Sequence, residues 1–142
     1  MKEKVFGPHL MLDLSKCNTE KLSDYGFIFN LLKELPEKIG MTLITQPYVF
    51  PYNGLVPEDK GITGVSIIAE SHISIHTFQE KDFAFIDIFS CKNFDVEFTK
   101  KYFIDAFESK SAVSNVTHRG LGFQRTNIVN VKQNWTDYLN NP

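Results

Sequence analysis

The sequence predicts an α+β fold, a two-layer α/β sandwich in which two helices cover one face of an antiparallel sheet. Two patterns indicate this fold. Short segments rich in Val, Ile, Phe and Thr recur along the chain and are typical of strands, and two longer segments carry apolar residues at helical spacing. Helices on a single face leave the other face of the sheet uncovered. We therefore expect a dimer in which a second copy buries that face.

The predicted strands are bounded by polar residues, glycines or prolines. Along the chain they lie at 5–14, 41–50, 63–69, 72–78 and 83–90, with a further strand or two within 112–117 and 123–131. A polar tail that contains Trp135 follows.

Two helices are predicted between these strands. The first spans 19–39, where Thr19 and Glu20 provide a start signal and Gly40 provides a stop. The second spans 95–108. Apolar residues that would face the sheet are Leu22, Phe29, Leu32 and Leu35 in the first helix, and Phe94, Phe98, Tyr102 and Phe107 in the second. We interpret both stripes as core packing rather than as ligand sites.

The composition indicates a single domain over 1–142, because 142 residues with 42% hydrophobic content can bury a core of their own. A net charge of -2 gives no basic surface for nucleic acid or an anionic membrane, so neither is an expected partner. No apolar run approaches the roughly 20 residues that span a bilayer, and no signal peptide is recognised at the start of the sequence. We expect a cytoplasmic protein whose two cysteines, Cys17 and Cys91, are reduced.

The polar run from Gln79 to Asp82 predicts a reversal between two strands. In such a hairpin the numbers of facing residues sum to about 161, which places Ser71 opposite Ser90 and beside Cys91. His76 lies five residues further along the strand, about 16 Å from Ser71 at about 3.3 Å per residue. It must therefore fold back, or act on the serine of a partner.

The same reactive residues allow other interpretations. His72, Ser74 and His76 share one face of a strand, but the two histidines would be about 13 Å apart, whereas zinc needs bonds of about 2 Å, so we reject a metal site within one chain. A Ser-His hydrolase would require a G-x-S-x-G turn, which is absent around Ser71. We interpret Asp87 as a paired structural residue.

The segment from Gly61 to Cys91, GITGVSIIAESHISIHTFQEKDFAFIDIFSC, resembles the core of the prokaryotic S-adenosylmethionine decarboxylase proenzymes. The run GPHLMLDLSKCN, which starts at Gly7, is similar to the first strand of that family. The resemblance implies self-cleavage between Glu70 and Ser71 into a β chain, 1–70, and an α chain, 71–142. Ser71 would become a covalent pyruvoyl cofactor, which forms a Schiff base with the substrate amine and accepts electrons as carbon dioxide leaves.

The resemblance also implies roles for three residues around this serine. His76 matches the histidine that promotes the elimination step of cleavage. Thr63 stands where the family usually has a serine that supports processing. Cys91 matches the proton donor to the α carbon of the substrate. In the family, paired protomers complete each other's active sites, which implies a homodimer.

Binding of the small-molecule substrate is implied by two further matches. Glu80 corresponds to the glutamate that hydrogen-bonds the ribose hydroxyls. An aromatic ring from the region 47–57 stacks on the adenine in the family, and the candidates here are Tyr48, Phe50 and Tyr52, of which we favour Phe50 and Tyr52. The implied reaction is decarboxylation of S-adenosylmethionine for polyamine biosynthesis, including spermidine.

The segment 40–61 is several residues longer than its equivalent in better-known members of the family, and it contains Pro47, Pro51 and Pro57. A pyruvoyl-dependent arginine or ornithine decarboxylase is therefore the first alternative, because this chemistry handles only the amino acid portion of a substrate. The second alternative is a regulatory or structural homologue that does not process. The presence of Ser71, His76 and Cys91 argues against it.

Overall fold

The computed structural model describes residues 4–124, in which six strands form one antiparallel sheet with helices on one of its faces. The strands are β1 (Gly7–Ser15), β2 (Tyr48–Tyr52), β3 (Gly61–Ile68), β4 (Ser71–Phe78), β5 (Phe83–Ser90) and β6 (Ser111–Arg119). The helices are α1 (Thr19–Leu22), α2 (Tyr25–Lys38) and α3 (Val96–Phe107). The strand order is β2-β3-β4-β5-β1-β6. The predicted α+β sandwich is confirmed.

The core lies between the sheet and the helices. Alternate residues of β1, Leu10, Leu12 and Leu14, are fully buried, as the two-residue period of a strand requires when one face is covered. They share one apolar cluster with buried residues of the helices and the neighbouring strands: Ile28, Leu32, Leu35, Phe103, Phe107, Ile73, Ile75, Ile86 and Ile88. This cluster fixes which side chains of each strand remain on the opposite, uncovered face.

The first predicted helix is two helices in the structure, α1 and α2. Asp24 separates the two helices, because its side chain accepts a hydrogen bond from the Phe27 N–H at 3.0 Å and thereby caps the start of α2. Asn18, rather than Thr19, caps α1. Gly40 follows α2 with φ +74°, a conformation that glycine adopts readily, so the predicted stop is confirmed.

The predicted helical stripes are partly wrong. Phe29 is only half-buried, and the neighbouring Ile28 and Leu31 occupy the core instead. In α3, Phe98 is exposed and stacks on Tyr102, with ring centroids 6.3 Å apart, while Phe103 is fully buried. In both helices the buried face is rotated by about one residue from the predicted face. The docking of each helix on the sheet selects this face, and the apolar pattern alone does not fix it.

The strand predicted over 41–50 is also displaced. Residues 41–47 contribute one isolated bridge, between Leu43 and Ile68, and the regular strand is β2. Pro51 is tolerated there because β2 lies at the edge of the sheet. Of the segment 123–131, Phe123 and Gln124 are not in a strand, and the remainder lies outside the described residues, as does Trp135.

The β4–β5 hairpin forms in the predicted register. Ser71 faces Ser90 and Phe78 faces Phe83. The reversal is a short 3₁₀ turn, Gln79–Lys81, followed by Asp82 in the left-handed conformation with φ +53°.

The uncovered face of the sheet carries many apolar and aromatic side chains. Those that are also substantially exposed are Tyr48, Phe50, Tyr52, Ile67, Phe85 and Val113, with Tyr48 reaching 70%. Large apolar side chains that are exposed together on one face are typical of an interaction surface, and we call these six residues the exposed apolar patch. Among residues 4–124, no helix is long and apolar enough to cross a membrane.

Thr77 provides a test of the interface between sheet and helices. Its buried hydroxyl donates to the Leu22 carbonyl oxygen at 2.7 Å and accepts from the Ile62 N–H at 3.0 Å. Thr77→Val keeps the shape and leaves both groups unsatisfied, which should lower the free energy of unfolding by about 1–3 kcal/mol. Urea denaturation measures the change. The matched control Thr117→Val, exposed on β6, should stay within about 0.5 kcal/mol of the parent, and equal effects of the two substitutions would contradict this account.

Candidate active site

The start of β4 and the end of β5 bring three sequence-predicted residues together. Ser71 is paired with Ser90, so that Cys91 follows directly beside it. The backbone N–H of Cys91 donates a hydrogen bond to the carbonyl oxygen of Glu70 at 2.9 Å. This carbonyl belongs to the peptide bond that precedes the serine. A nucleophilic hydroxyl, a polarised carbonyl and a thiol residue therefore meet at one end of the sheet.

The side chain of Glu70 is held away from solvent. It is 1% exposed, and one of its carboxylate oxygens accepts a hydrogen bond from the Thr42 N–H at 3.2 Å. The Ala69 N–H in turn donates to the Thr42 carbonyl oxygen at 2.9 Å. The segment that follows α2 thus clamps the backbone on the amino-terminal side of Ser71.

Gly7 is required where β1 passes the end of β5. A Cβ atom at this position would lie 1.9 Å from the carbonyl oxygen of Ser90 and 2.9 Å from the Cα atom of Cys91. The absence of a side chain allows β1 to approach the thiol residue closely.

His72 lies next to the candidate nucleophile. Its Nδ1 atom is 3.0 Å from the hydroxyl oxygen of Ser71. Its ring is in edge contact with Phe89, at a centroid separation of 5.9 Å. Burial lowers the pKa of His72 from its ordinary value, so the neutral ring is favoured.

Charged groups surround Phe89 and His72 on the uncovered face. His9 Nε2 and Asp87 Oδ1 are 2.9 Å apart, a pairing that agrees with a structural role for Asp87. The Arg119 guanidinium lies over the Phe89 ring, 4.0 Å from its centroid. The charge of His9 lowers the pKa of His72 further, as does that of Arg119, and Asp87 partly offsets them.

Thr63 and His76 form a second group. They are directly paired across β3 and β4, and the threonine hydroxyl lies 3.2 Å from His76 Nδ1. Ser71 and His76 lie five residues apart in the uninterrupted strand β4, so about 16 Å separates them within one chain. The structure brings Thr63 to His76 but does not bring either of them to Ser71.

The predicted substrate-binding residues lie near this second group. Phe50 pairs with Thr63, and Tyr48 is in edge contact with Phe50 at 5.8 Å between centroids. Tyr52 lies further along the same strand, and Glu80 is exposed in the 3₁₀ turn of the β4–β5 hairpin. None of these residues is beside Ser71 of the same chain.

The two cysteines differ in their surroundings. Cys91 directly follows β5, near Gly7 at the start of β1, and is half-buried. Cys17 lies two residues after the other end of β1 and is buried. Burial raises the pKa of the Cys17 thiol, as expected of an inert core cysteine. Within residues 4–124, no group of three or more His, Cys, Asp or Glu side chains is placed to hold a metal ion.

Comparison with known proteins identifies the family. A family model described as S-adenosylmethionine decarboxylase matches residues 8–120. The chain belongs to the S-adenosylmethionine decarboxylase family. This confirms the family recognised in the sequence and, with it, the expectation of an enzyme.

Named relatives of the S-adenosylmethionine decarboxylase family match most of the chain. The S-adenosylmethionine decarboxylase proenzyme of Thermodesulfovibrio yellowstonii is 38% identical over 105 residues, which cover 73% of either chain. That of Oceanobacillus iheyensis is 34% identical over 122 residues, 83% of this chain and 90% of the relative. The crystal structure of the adenosylmethionine decarboxylase from Aquifex aeolicus superposes with a TM-score of 0.71 at 27% identity, covering 88% of this chain and 99% of that one.

Sequence reasoning missed several residues around Ser71. The importance of Gly7 and the positions of His9 and Arg119 follow from the pairing of β1 with β5 and β6, for which the sequence carried no local signal. No catalytic role is predicted for His72 from the sequence. Its adjacency to Ser71 was the signal that could have identified it.

Gly7→Ala tests whether the close approach of β1 shapes the site. The new Cβ would collide with the Ser90 carbonyl, a backbone atom that cannot move without displacing Cys91, so we expect slower self-cleavage and a lower melting temperature. Gly26→Ala is the matched control, because the nearest atom to its Cβ is a side-chain oxygen of Asp24 at 3.6 Å. Gel electrophoresis and thermal unfolding report the two properties. Normal cleavage in Gly7→Ala would refute the role of the close approach.

Proposed function

We propose that this protein is an S-adenosylmethionine decarboxylase proenzyme that cuts itself between Glu70 and Ser71. The single domain 1–142 would become a β chain of residues 1–70 and an α chain of residues 71–142, and the product of its reaction would feed polyamine synthesis in the cytoplasm. The observation that carries the proposal is the hydrogen bond from the Cys91 N–H to the Glu70 carbonyl oxygen, beside the Ser71 hydroxyl.

The chemistry of cleavage follows from this arrangement. Attack of the Ser71 hydroxyl on the Glu70 carbonyl carbon converts the amide into an ester, and the Cys91 N–H stabilises the negative charge that develops on the carbonyl oxygen. A base then removes the α proton of Ser71, and the bond between its Cβ and its oxygen breaks. Glu70 leaves with that oxygen as a carboxylate, and residue 71 is left as an enamine that tautomerises to an imine. Water hydrolyses the imine, which supplies the ketone oxygen and releases ammonia.

The residues present fit a pyruvoyl group at position 71. Ser71 is the required precursor and is half-buried. Because Gly7 has no side chain, β1 can pass close to the end of β5 beside this serine. When formed, the pyruvoyl group supplies the electron sink for loss of carbon dioxide. Cys91, which follows the same end of β5, would return a proton to the α carbon of the substrate.

The distance between Ser71 and the pair formed by Thr63 and His76 supports a homodimer with shared active sites. Thr63 and His76 lie on the uncovered face, about 16 Å from Ser71 of their own chain. A twofold axis through that face would bring them to the Ser71 of a partner, where His76 would promote elimination and Thr63 would support it. The exposed apolar patch gives such a partner a surface to bury.

The same pairing would complete the substrate pocket. Phe50 and Tyr52 would supply an aromatic surface for the adenine, and the Glu80 carboxylate would accept hydrogen bonds from the ribose hydroxyls. These contacts require a nucleoside portion, which favours S-adenosylmethionine over arginine or ornithine.

Substitutions of Ser71 and Cys91 separate cleavage from turnover. Ser71→Ala should show neither cleavage nor release of carbon dioxide from carboxyl-labelled S-adenosylmethionine. Cys91→Ala should be cut at least partly yet turn over about 100-fold or more slowly, because a general acid contributes on this scale. Arginine and ornithine serve as comparison substrates. Full turnover by Cys91→Ala would exclude it as the proton donor, and preferential decarboxylation of arginine or ornithine would exclude the proposed substrate.

Mixed dimers test the shared site. When Ser71→Ala and His76→Ala chains carrying different tags are combined, one of the two sites of each heterodimer contains both an intact Ser71 and an intact His76. We expect the His76→Ala chain to be cut in heterodimers and to remain uncut in its own homodimers. Purification by both tags in succession, followed by electrophoresis, measures this. Proven heterodimers in which neither chain is cut would refute sharing.

A further inference from the structure

The steps assigned to Ser71, His76 and Cys91 leave His72 without a role, although its ring contacts the hydroxyl oxygen of Ser71. It is the second residue of β4, and its side chain lies between those of Ile67 on β3 and Phe89 on β5, both of which are apolar. Its Nδ1 atom is 3.0 Å from the Ser71 hydroxyl oxygen, a distance suited to proton transfer.

The environment of His72 favours the form that accepts a proton. Burial lowers its pKa, chiefly by disfavouring the charged ring. The titratable and charged groups that act on it from the other strands are His9 on β1, Asp87 on β5 and Arg119 on β6. Two of these three are cationic when protonated, and they reinforce the effect of burial. A neutral ring that carries its proton on Nε2 presents the Nδ1 lone pair to the serine.

The carbonyl group of Glu70, which the serine oxygen attacks, is held by hydrogen bonds from other segments. The Cys91 N–H contacts the Glu70 carbonyl oxygen at 2.9 Å, and the clamp between Glu70 and Thr42 fixes that residue. A base for the hydroxyl and a donor for the carbonyl oxygen therefore flank one peptide bond.

We propose that His72 is the catalytic base and acid of the first step of self-cleavage. This inference rests on the proposed function. The Ser71 hydroxyl proton passes to His72 Nδ1 as the serine oxygen bonds to the Glu70 carbonyl carbon. When the bond from that carbon to the Ser71 nitrogen breaks, His72 returns the proton to the nitrogen, which leaves an ester and a free amine.

Two histidines then serve two successive steps. His72 acts on the hydroxyl of Ser71 in its own chain. His76, which lies nearer the other end of β4 and pairs with Thr63 on β3, acts on the α proton of the partner's serine. A His76→Ala chain should stop at the ester, and a chain without His72 should stop at the amide.

The experiment isolates the first step in a His76→Ala background. Chains are made by cell-free translation, and hydroxylamine is added at neutral pH once synthesis has been stopped. It cuts an ester at Ser71 into fragments 1–70 and 71–142, which electrophoresis distinguishes from the fragments 1–53 and 54–142 of the hydroxylamine-sensitive Asn53–Gly54 bond. We expect the His76→Ala chain to be cut. The His76→Ala/His72→Gln chain should be cut about 100-fold or more slowly. His76→Ala/His118→Ala is the matched control, because His118 is exposed on β6, and it should be cut at the rate of His76→Ala.

Two further readouts distinguish catalysis from folding. The cutting rate of His76→Ala should fall as the pH drops through the lowered pKa of His72, below 6.5, because the protonated ring cannot accept the serine proton. The rates are compared at hydroxylamine concentrations high enough that trapping of the ester does not limit them, and under these conditions the dependence should be absent when His72 is replaced. Imidazole should restore cutting to His76→Ala/His72→Ala, which a purely structural role of His72 would not allow.

The outcomes separate this inference from the function on which it rests. If neither the natural sequence nor His76→Ala is cut, the proposed self-cleavage fails and His72 has no such step to catalyse. If both are cut and the chain with His72→Gln is cut equally fast, with the same pH dependence, only the role of His72 is refuted.

Discussion

The backbone register between β4 and β5 is the constraint on which the proposed active site depends. With Ser71 opposite Ser90, the N–H of Cys91 reaches the carbonyl oxygen of Glu70. A slip of one residue would turn every side chain of one strand to the other face and would separate the serine from the thiol. The core opposes such a slip through four fully or almost fully buried isoleucines: Ile73, Ile75, Ile86 and Ile88. Packing on the covered face therefore holds the chemistry in place at the strand ends.

The parts of the fold that the sequence predicts well are those set by local interactions. The β4–β5 hairpin was predicted in register because a four-residue polar run separates two strands with clear apolar patterns. The break at Asp24 was missed because an apolar stripe continues past it, although aspartate is a strong cap. The choice of Phe103 over Phe98 depends on how α3 docks, which is a tertiary property. The insertion of β1 between β5 and β6 is likewise a long-range pairing without a local signal.

The same division applies to the candidate site. Ser71, Cys91 and the distance to His76 could be derived from one hairpin, and the structure reproduces that arrangement. Most of the electrostatic surroundings of His72 could not be derived, since His9 and Arg119 come from β1 and β6, whose sequences are remote from the hairpin, and only Asp87 belongs to it. In the proposed homodimer, a second copy on the uncovered face would bring Thr63 and His76 to the Ser71 of its partner and would also bury the apolar patch.

The intact mass of the purified protein under denaturing conditions, before and after treatment with borohydride, tests the central claim most directly. Self-cleavage at Ser71 predicts two fragments of about 8 kDa in place of one chain of 16.3 kDa. The fragment that starts at residue 71 should be lighter than a serine terminus requires by the difference between serine and pyruvoyl, and it should gain two hydrogens on reduction. A single uncut chain, or a fragment that retains an ordinary serine terminus, would contradict the account.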